Sequence, residues 1–503
     1  MSGAGLDGPA PAQAPVIPGF HPDPSVCRVG DDYFVVCSSF EYAPGVPIFR
    51  STDLRAWEQI GNVLTTPSQA AALVGAAPST GVFAPTLRYH DGRFWMITTI
   101  LTDGGGHLLV HADDPRGPWS APVRFPTLAG IDPDLCWDDD GTCLLSWAGF
   151  GEGSEGIQQV AIDPETGEVL SDKRHLWSGT GGKFPEGPHL YRRGDHWYLL
   201  IAEGGTERGH AVTVARGPSP SGPFEPCPTN PVLTRRGSDL PVQSTGHADL
   251  VELVDGSWAM VYHGVRPRGT SPEWHVLGRE TYVDRVEWHD GWPVLTGHLR
   301  APDRVEAWTD ELAAPQWPAS WVGAGRFPAD VVTRTPDGWQ VRSDDASDVF
   351  VGRRQDALHV RVVADVAVDG DSVGGIAVRV DPQHQLGLEC TGDVVRAVLR
   401  VGDVRSVLGE RHLDAGDRLE IRTQPSSEPF WSVACGPDRV GVGVATADGF
   451  VELGSVDGRY LSTEVAGGMT GRMVGVTCSD GRVLVRRFSY LGSGTADGTA
   501  LAT

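Results

Sequence analysis

The chain holds 503 residues, 40% of them hydrophobic and 21% charged, which is enough apolar material for real cores and excludes a disordered protein. Acidic side chains outnumber basic ones 65 to 41, a net charge of −24, and this argues against a nucleic-acid backbone or an anionic membrane as the main partner. No apolar run of ~18 residues offers a membrane span.

At ~150 residues per domain the length predicts two to four domains. The first 16 residues are rich in Gly, Ala and Pro and lack the apolar stretch of a secretion signal, so a cytoplasmic protein is expected. The eight cysteines are scattered, with no CxxC pair, and are expected as buried thiols rather than as a zinc or redox motif. High Gly and Pro counts, 65 and 38, favour many short strands joined by turns over helices.

Five similar segments follow one another through the first 300 residues. Each is a polar step, usually a Pro, a short apolar strand, a turn and an aromatic-rich strand. They begin at Asp23-Pro24-Ser25-Val26, Ala84-Pro85-Thr86-Leu87, Asp132-Pro133-Asp134-Leu135, Gly187-Pro188-His189-Leu190 and His247-Ala248-Asp249-Leu250. Their spacing, roughly 50–60 residues, is blade length, and Asp-Gly steps within them are hairpin turns. The repeats predict an all-β protein whose first domain, residues 15–305, is a five-bladed β-propeller. Residues 307–324, irregular and rich in Pro and Trp, are expected as a linker. Beyond them Leu358 to Val362, Ile376 to Val380 and Val483 to Arg486 alternate with period two, predicting a β-sandwich over residues 325–492. The small, polar tail from Ser493 is expected to be disordered.

The repeats also place chemistry. Aligned on Val26, Leu87, Leu135, Leu190 and Leu250, the position three residues upstream holds Asp23, Ala84, Asp132, Gly187 (with Glu186 just before it) and His247. Equivalent blade positions ring the propeller axis, so three carboxylates and a histidine should meet at one mouth. Paired carboxyl groups are what glycoside hydrolysis needs, one protonated and one ionised. Taken singly, Asp-Pro is a turn initiator and Glu-Gly-Pro a loop; three in register point to a site.

These residues resemble a family. Ile17 to Ser25, Gly45 to Phe49, Phe83-Ala84-Pro85-Thr86, Gly130-Ile131-Asp132-Pro133, Glu186 to Leu190, Ala202 to Thr206, Thr245 to Leu250 and Leu277 to Thr281 look like glycoside hydrolase family 43, the β-xylosidase and α-L-arabinofuranosidase group. Phe350 to Gln355 and Thr463 to Gly468 resemble the concanavalin-like β-sandwich that many of its β-xylosidases carry. The resemblance implies Asp23 as the base that activates water, Glu186 as the general acid, and Asp132 as the group that orients Glu186 and raises its pKa. It implies that Arg279 and Thr206 lie against the sugar with His247 beneath it, and that Phe40 and Phe83 form aromatic walls. A satisfied core histidine competes with the role of His247, and core packing with that of the two Phe. Many relatives carry Trp in place of Phe83 and Phe in place of Met469.

The resemblance further implies an exo-acting enzyme that inverts configuration, with the Asp23 and Glu186 carboxyl groups ~6.5–9.5 Å apart. The expected reaction is release of xylose from the non-reducing end of β-1,4-xylo-oligosaccharides. An α-L-arabinofuranosidase, a bifunctional enzyme and a non-catalytic carbohydrate-binding protein are the alternatives. No cofactor is required on this reading; a calcium ion at the propeller centre and a homo-oligomer stay open. Ser178 to Lys183 mimics a phosphate loop but lacks the closing Ser/Thr, and Asp138-Asp139-Asp140-Gly141 lacks the Glu that completes a calcium loop, so no metal site is assigned.

Overall fold

The computed structural model describes residues 13–150, 155–302, 305–312, 317–343, 348–429 and 431–493. The tail after Ser493 and most of the N-terminal segment lie outside them. The protein is a five-bladed propeller followed by a β-sandwich, as the sequence predicts.

Each blade is a short antiparallel meander. The innermost strands are Ser25–Val29, Thr86–His90, Gly130–Trp137, Glu186–Arg193 and Gln243–Glu252, all drawn from the repeat starts. At Asp91-Gly92 both residues take positive φ, +48° and +78°, which matches the two-residue turn whose twist suits a hairpin. The ring is closed by the chain start. The backbone N–H groups of Val16 and Ile17 donate to Thr281 O of the fifth blade, and the N–H of Thr281 donates back to Ile17 O at 3.1 Å. The same latch lets His21 N–H donate to Arg279 O at 3.0 Å, so residues 258 apart in sequence share one corner.

The axis is not an open channel. One residue before each aligned apolar position sit Ser25, Thr86, Asp134, His189 and Asp249, and Arg88 reaches in from the second blade. Arg88 Nη1 donates to Asp249 Oδ2 at 2.9 Å, and its Nη2 lies 2.8 Å from Asp134 Oδ1. Asp249 also accepts from Ser25 Oγ (2.8 Å), Val26 N–H (3.0 Å) and Tyr191 Oη (2.5 Å). Asp134 accepts from Leu190 N–H at 3.1 Å. This buried network touches all five blades.

In the sandwich, the 21-residue strand Met473–Ser493 runs through both sheets. Its first part pairs with Val349–Arg354 and Val373–Asp381, and its second part pairs with His359–Val368 and Gly338–Ser343. Val-rich alternation fills the space between the sheets, with Val360, Val362, Val476, Val485, Phe488 and Trp339 at the centre. The segment expected to be an irregular linker is partly strand: Val305–Glu311 pairs antiparallel with Met473–Ser493, Trp308 opposite Tyr490. Two rings then stack, Trp308 on Tyr490 at 5.0 Å and 4°. Val322–Ala324 also pairs with Tyr42–Ala43 of the first blade, so one sheet runs from the sandwich into the propeller. All eight cysteines are buried and none forms a disulfide.

Replacing Arg88 with Met would leave two buried carboxylates without their cation. A loss of about 3–5 kcal/mol is expected, read as a large fall in Tm of the propeller; a fall equivalent to less than ~1 kcal/mol would contradict this account of the plug.

Candidate active site

The inner strands begin with a shared irregularity. Asp23, Asp132, Gly187 and His247 all lie in the left-handed region, with φ of +55°, +56°, +57° and +46°. The pairing register slips at three of these points, between Ile131 and Asp134, Glu186 and His189, and Gly246 and Asp249. A bulge re-aims a side chain that regular pleating would direct elsewhere, and left-handed backbone in a non-glycine residue stores strain that clusters at functional sites. Here the shared left-handed step, accompanied by a bulge in three of the blades, turns the side chains towards the axis mouth. In the second blade Ala84 contributes no polar group. Gly187 is bare because a Cβ there would come within 3.1 Å of the His247 ring.

Asp23 is 5% exposed and fully engaged. Its Oδ1 accepts from Arg279 Nη1 at 2.7 Å, and its Oδ2 accepts from Ser38 Oγ at 2.6 Å. Its own N–H donates to His263 Nδ1 at 3.0 Å, and the same nitrogen lies 3.1 Å from Asp23 Oδ1. Burial works against ionisation of Asp23, but Arg279 and then His247 and His263 outweigh it and hold the carboxyl well below the usual range. Burial keeps His247 neutral, pushed down to about 3, and also lowers His263 and His210.

Glu186 has the opposite surroundings. It is half-buried, and burial followed by the negative charge of Asp23 pushes its carboxyl up to about 7, with Arg279 pulling the other way. Asp132 lies deeper and accepts one hydrogen bond, from Gly187 N–H at 3.1 Å. Burial, then Glu186, then Asp23 raise it well above the carboxylate range. Three acids at one mouth with a single guanidinium cannot all ionise; Asp23, which has the guanidinium, is the one that does.

Arg279 organises the remainder. Its Nη1 also donates to Thr206 Oγ1 at 3.1 Å, its Nη2 donates to Met469 O at 3.3 Å, and its guanidinium sits 5.7 Å from the Phe40 ring centre. Phe40 is buried and meets the more exposed Phe83 edge to face at 5.4 Å. Met469 packs against this cluster from the sandwich. A cavity of about 470 Å³ opens beside Arg279 and Thr206, between the propeller and the sandwich loop that carries Glu464 and Met469. Across it His275 Nδ1 lies 2.6 Å from Glu464 Oε1.

Residues 12–293 match the model of glycosyl hydrolases family 43. The chain belongs to that family. Residues 338–485 match the β-xylosidase C-terminal concanavalin A-like domain. A non-reducing end α-L-arabinofuranosidase of Bacteroides ovatus, BoGH43B, is 35% identical over 493 residues, covering 92% of this chain and 90% of that one. A xylosidase/arabinosidase of Butyrivibrio fibrisolvens is 44% identical over 311 residues, 59% of this chain and 58% of that one. The crystal structure of a xylan β-1,4-xylosidase from Bacillus halodurans C-125 matches with a TM-score of 0.85 at 28% identity, covering 96% of this chain and all of that one. This family 43 member is thus a glycoside hydrolase that acts on oligosaccharide substrate.

The family 43 site holds residues that sequence reasoning missed. Ser38 and His263, which grip Asp23, lie on second strands or their exits and carry no motif signal of their own. Glu203 sits inside a matched motif yet drew no assignment. It is buried and accepts from Thr180 N–H, Thr180 Oγ1, Gly182 N–H and Thr213 Oγ1 at 2.6–2.9 Å. The glycine-rich stretch that mimics a phosphate loop therefore does cradle an anion, but an internal one. A Cβ at Gly179 would meet the Glu203 carboxylate at 2.4 Å. This grip orders the segment leading into Glu186.

A central calcium does not fit the axis below the acids. Calcium asks for six to eight oxygen ligands, whereas Asp134 and Asp249 are already engaged by the Arg88 guanidinium, a cation fixed in place. Among the described residues no cluster of three or more His, Cys, Asp or Glu could hold a metal.

Glu203→Gln removes the charge that four donors converge on and sets an NH2 among them. Roughly a tenfold fall in kcat is expected, with faster proteolysis between residues 178 and 185; unchanged proteolysis and turnover would show that the loop is ordered by other contacts.

Proposed function

We propose that the protein removes single terminal pentoses from oligosaccharides by direct displacement with water. The observation that carries this reading is the opposed surroundings of Asp23 and Glu186. Asp23, pinned by Arg279 and Ser38, stays ionised and serves as base; Glu186, half-buried near that charge and without a cation of its own, keeps its proton and serves as acid. Water gives a proton to Asp23 as its oxygen bonds to the anomeric carbon. The glycosidic bond breaks, and the leaving oxygen takes the proton of Glu186. Solvent then resets both groups. Asp132 orients the segment bearing Glu186 through Gly187 N–H. Asp132 itself stays protonated, so the charge that raises Glu186 is that of Asp23.

Xylose at the non-reducing end of β-1,4-xylo-oligosaccharides is the main proposed substrate. Arabinofuranoside cleavage is the second reading, and it is favoured by the names of the Bacteroides and Butyrivibrio relatives. The smaller ring of Phe83, where many relatives have Trp, leaves the sugar pocket room for either pentose. A single mouth roofed on one side by the sandwich loop suits exo action.

Hydrolysis of p-nitrophenyl β-D-xylopyranoside and α-L-arabinofuranoside tests this. Asp23→Ala and Glu186→Ala should each lose at least ~10³-fold in kcat on the preferred substrate, while Tm is retained; survival of most activity would remove the assignment. The pH profile of kcat/KM should fall as pH rises through about 7, where Glu186 gives up its proton. On the acid side it should hold far below that, because Asp23 is depressed. Asp132→Asn replaces a group that is already uncharged and should leave the alkaline limb near 7; a limb moved clearly to lower pH would show that a charge on Asp132 raises Glu186.

A further inference from the structure

Near the base, Ser79 in the loop between the first two blades is one of the residues that join the propeller to the sandwich. Ser79 sits in left-handed backbone, φ +61°, a conformation that costs a non-glycine residue strain and is kept only when surroundings enforce it. Its N–H donates to Glu41 Oε2 at 3.0 Å; Glu41 is 2% exposed and, through its own carbonyl, accepts from Gly325 N–H of the sandwich side at 2.8 Å. Its Oγ accepts from Met469 N–H at 2.8 Å. The carbonyl of that same Met469 is the acceptor for Arg279 Nη2, and Arg279 Nη1 holds Asp23. The neighbouring Gly468 has φ +84°, and a Cβ there would stand 2.3 Å from Ser79 Oγ. The loop is thus shaped so that the hydroxyl can reach the Met469 peptide.

We infer that Ser79 is a positioning residue for catalysis: by holding the backbone of Met469 at its N–H it holds the Met469 carbonyl, and with it Arg279, against Asp23, and so lets the sandwich domain set the state of the base. The inference rests on the reading of Asp23 as base. It goes beyond docking of one domain on another, since a docking bond could be made by any pair of groups along the interface. This bond is made to the N–H of the residue whose own carbonyl, one peptide further on, touches the arginine. The other groups around Asp23 are Ser38, His247, His263, Asp132 and Glu186; none touches Ser79, so a change there reaches Asp23 through Arg279.

The decisive variant is Ser79→Gly. Glycine accepts φ +61° without strain, so the backbone is not penalised while the hydroxyl is lost. With Arg279 looser, the pKa of Asp23 rises towards its ordinary value. The acid limb of kcat/KM should move to higher pH by about half a unit or more, and kcat should fall roughly three- to tenfold, with Tm within a few degrees of the parent. Gly468→Ala, which pushes the same two groups apart from the other side, should reproduce the limb shift. Asp23→Ala is run alongside. If it abolishes turnover while Ser79→Gly and Gly468→Ala leave the acid limb in place, the hydrogen bond only docks the domains and this inference falls, with the function intact. If Asp23→Ala keeps most activity, the base itself is misassigned and both fall.

Discussion

The guanidinium of Arg88 between Asp134 and Asp249 is the contact on which the rest of the molecule depends. A five-bladed ring has a narrow axis, and its inner strands bring backbone N–H groups and polar side chains out of water. Such groups must be paired within the protein. Arg88, Tyr191, Ser25 and the two aspartates pair them across all five blades. Two residues earlier in each repeat, on the same face, come the side chains of the mouth. The plug fixes the height and angle of every inner strand, and the left-handed steps above it then turn Asp23, Asp132 and His247 into one small volume.

Within that volume the chemistry follows from one shortage. Three carboxyl groups and three buried imidazoles share a single guanidinium, Arg279. Where it lies decides which acid is ionised. It lies on Asp23 because the N-terminal latch brings Gly19 to Arg279 alongside each other, with His21 N–H on Arg279 O and Gly19 N–H on Glu280 Oε1 at 3.0 Å. The sandwich holds the other side of the same guanidinium through the Met469 carbonyl. A domain that contributes no acid or base thus borders the site twice, as a wall of the cavity beside Arg279 and as a ligand of the arginine.

Much of this was legible in the sequence, because repeats carry position as well as composition. The aligned step gave the blade count, the ring of Asp23, Asp132, Glu186 and His247, and the bare Ala84. Period-two alternation gave the sandwich strands around Val360, Val378 and Val485. What stayed hidden has physical causes. Val305–Glu311 is Trp-containing and polar on alternate sides, and becomes a strand only because Met473–Ser493 offers it an edge. Pairing of Tyr42–Ala43 with Val322–Ala324 joins segments some 280 residues apart, with no local signal for it. Ser38, Ser79 and Glu203 are ordinary polar residues until the fold supplies their partners. The glycines around Thr180 were read against an external phosphate, when the anion they serve lies inside the chain.

The central claim is that Asp23 acts on water and not on the sugar. The direct test is the anomeric form of xylose first released from p-nitrophenyl β-D-xylopyranoside, followed by proton NMR before mutarotation. The account predicts that α-xylose appears first and the β-anomer grows in later; β-xylose as the first product would mean a covalent intermediate on a carboxylate and would contradict it.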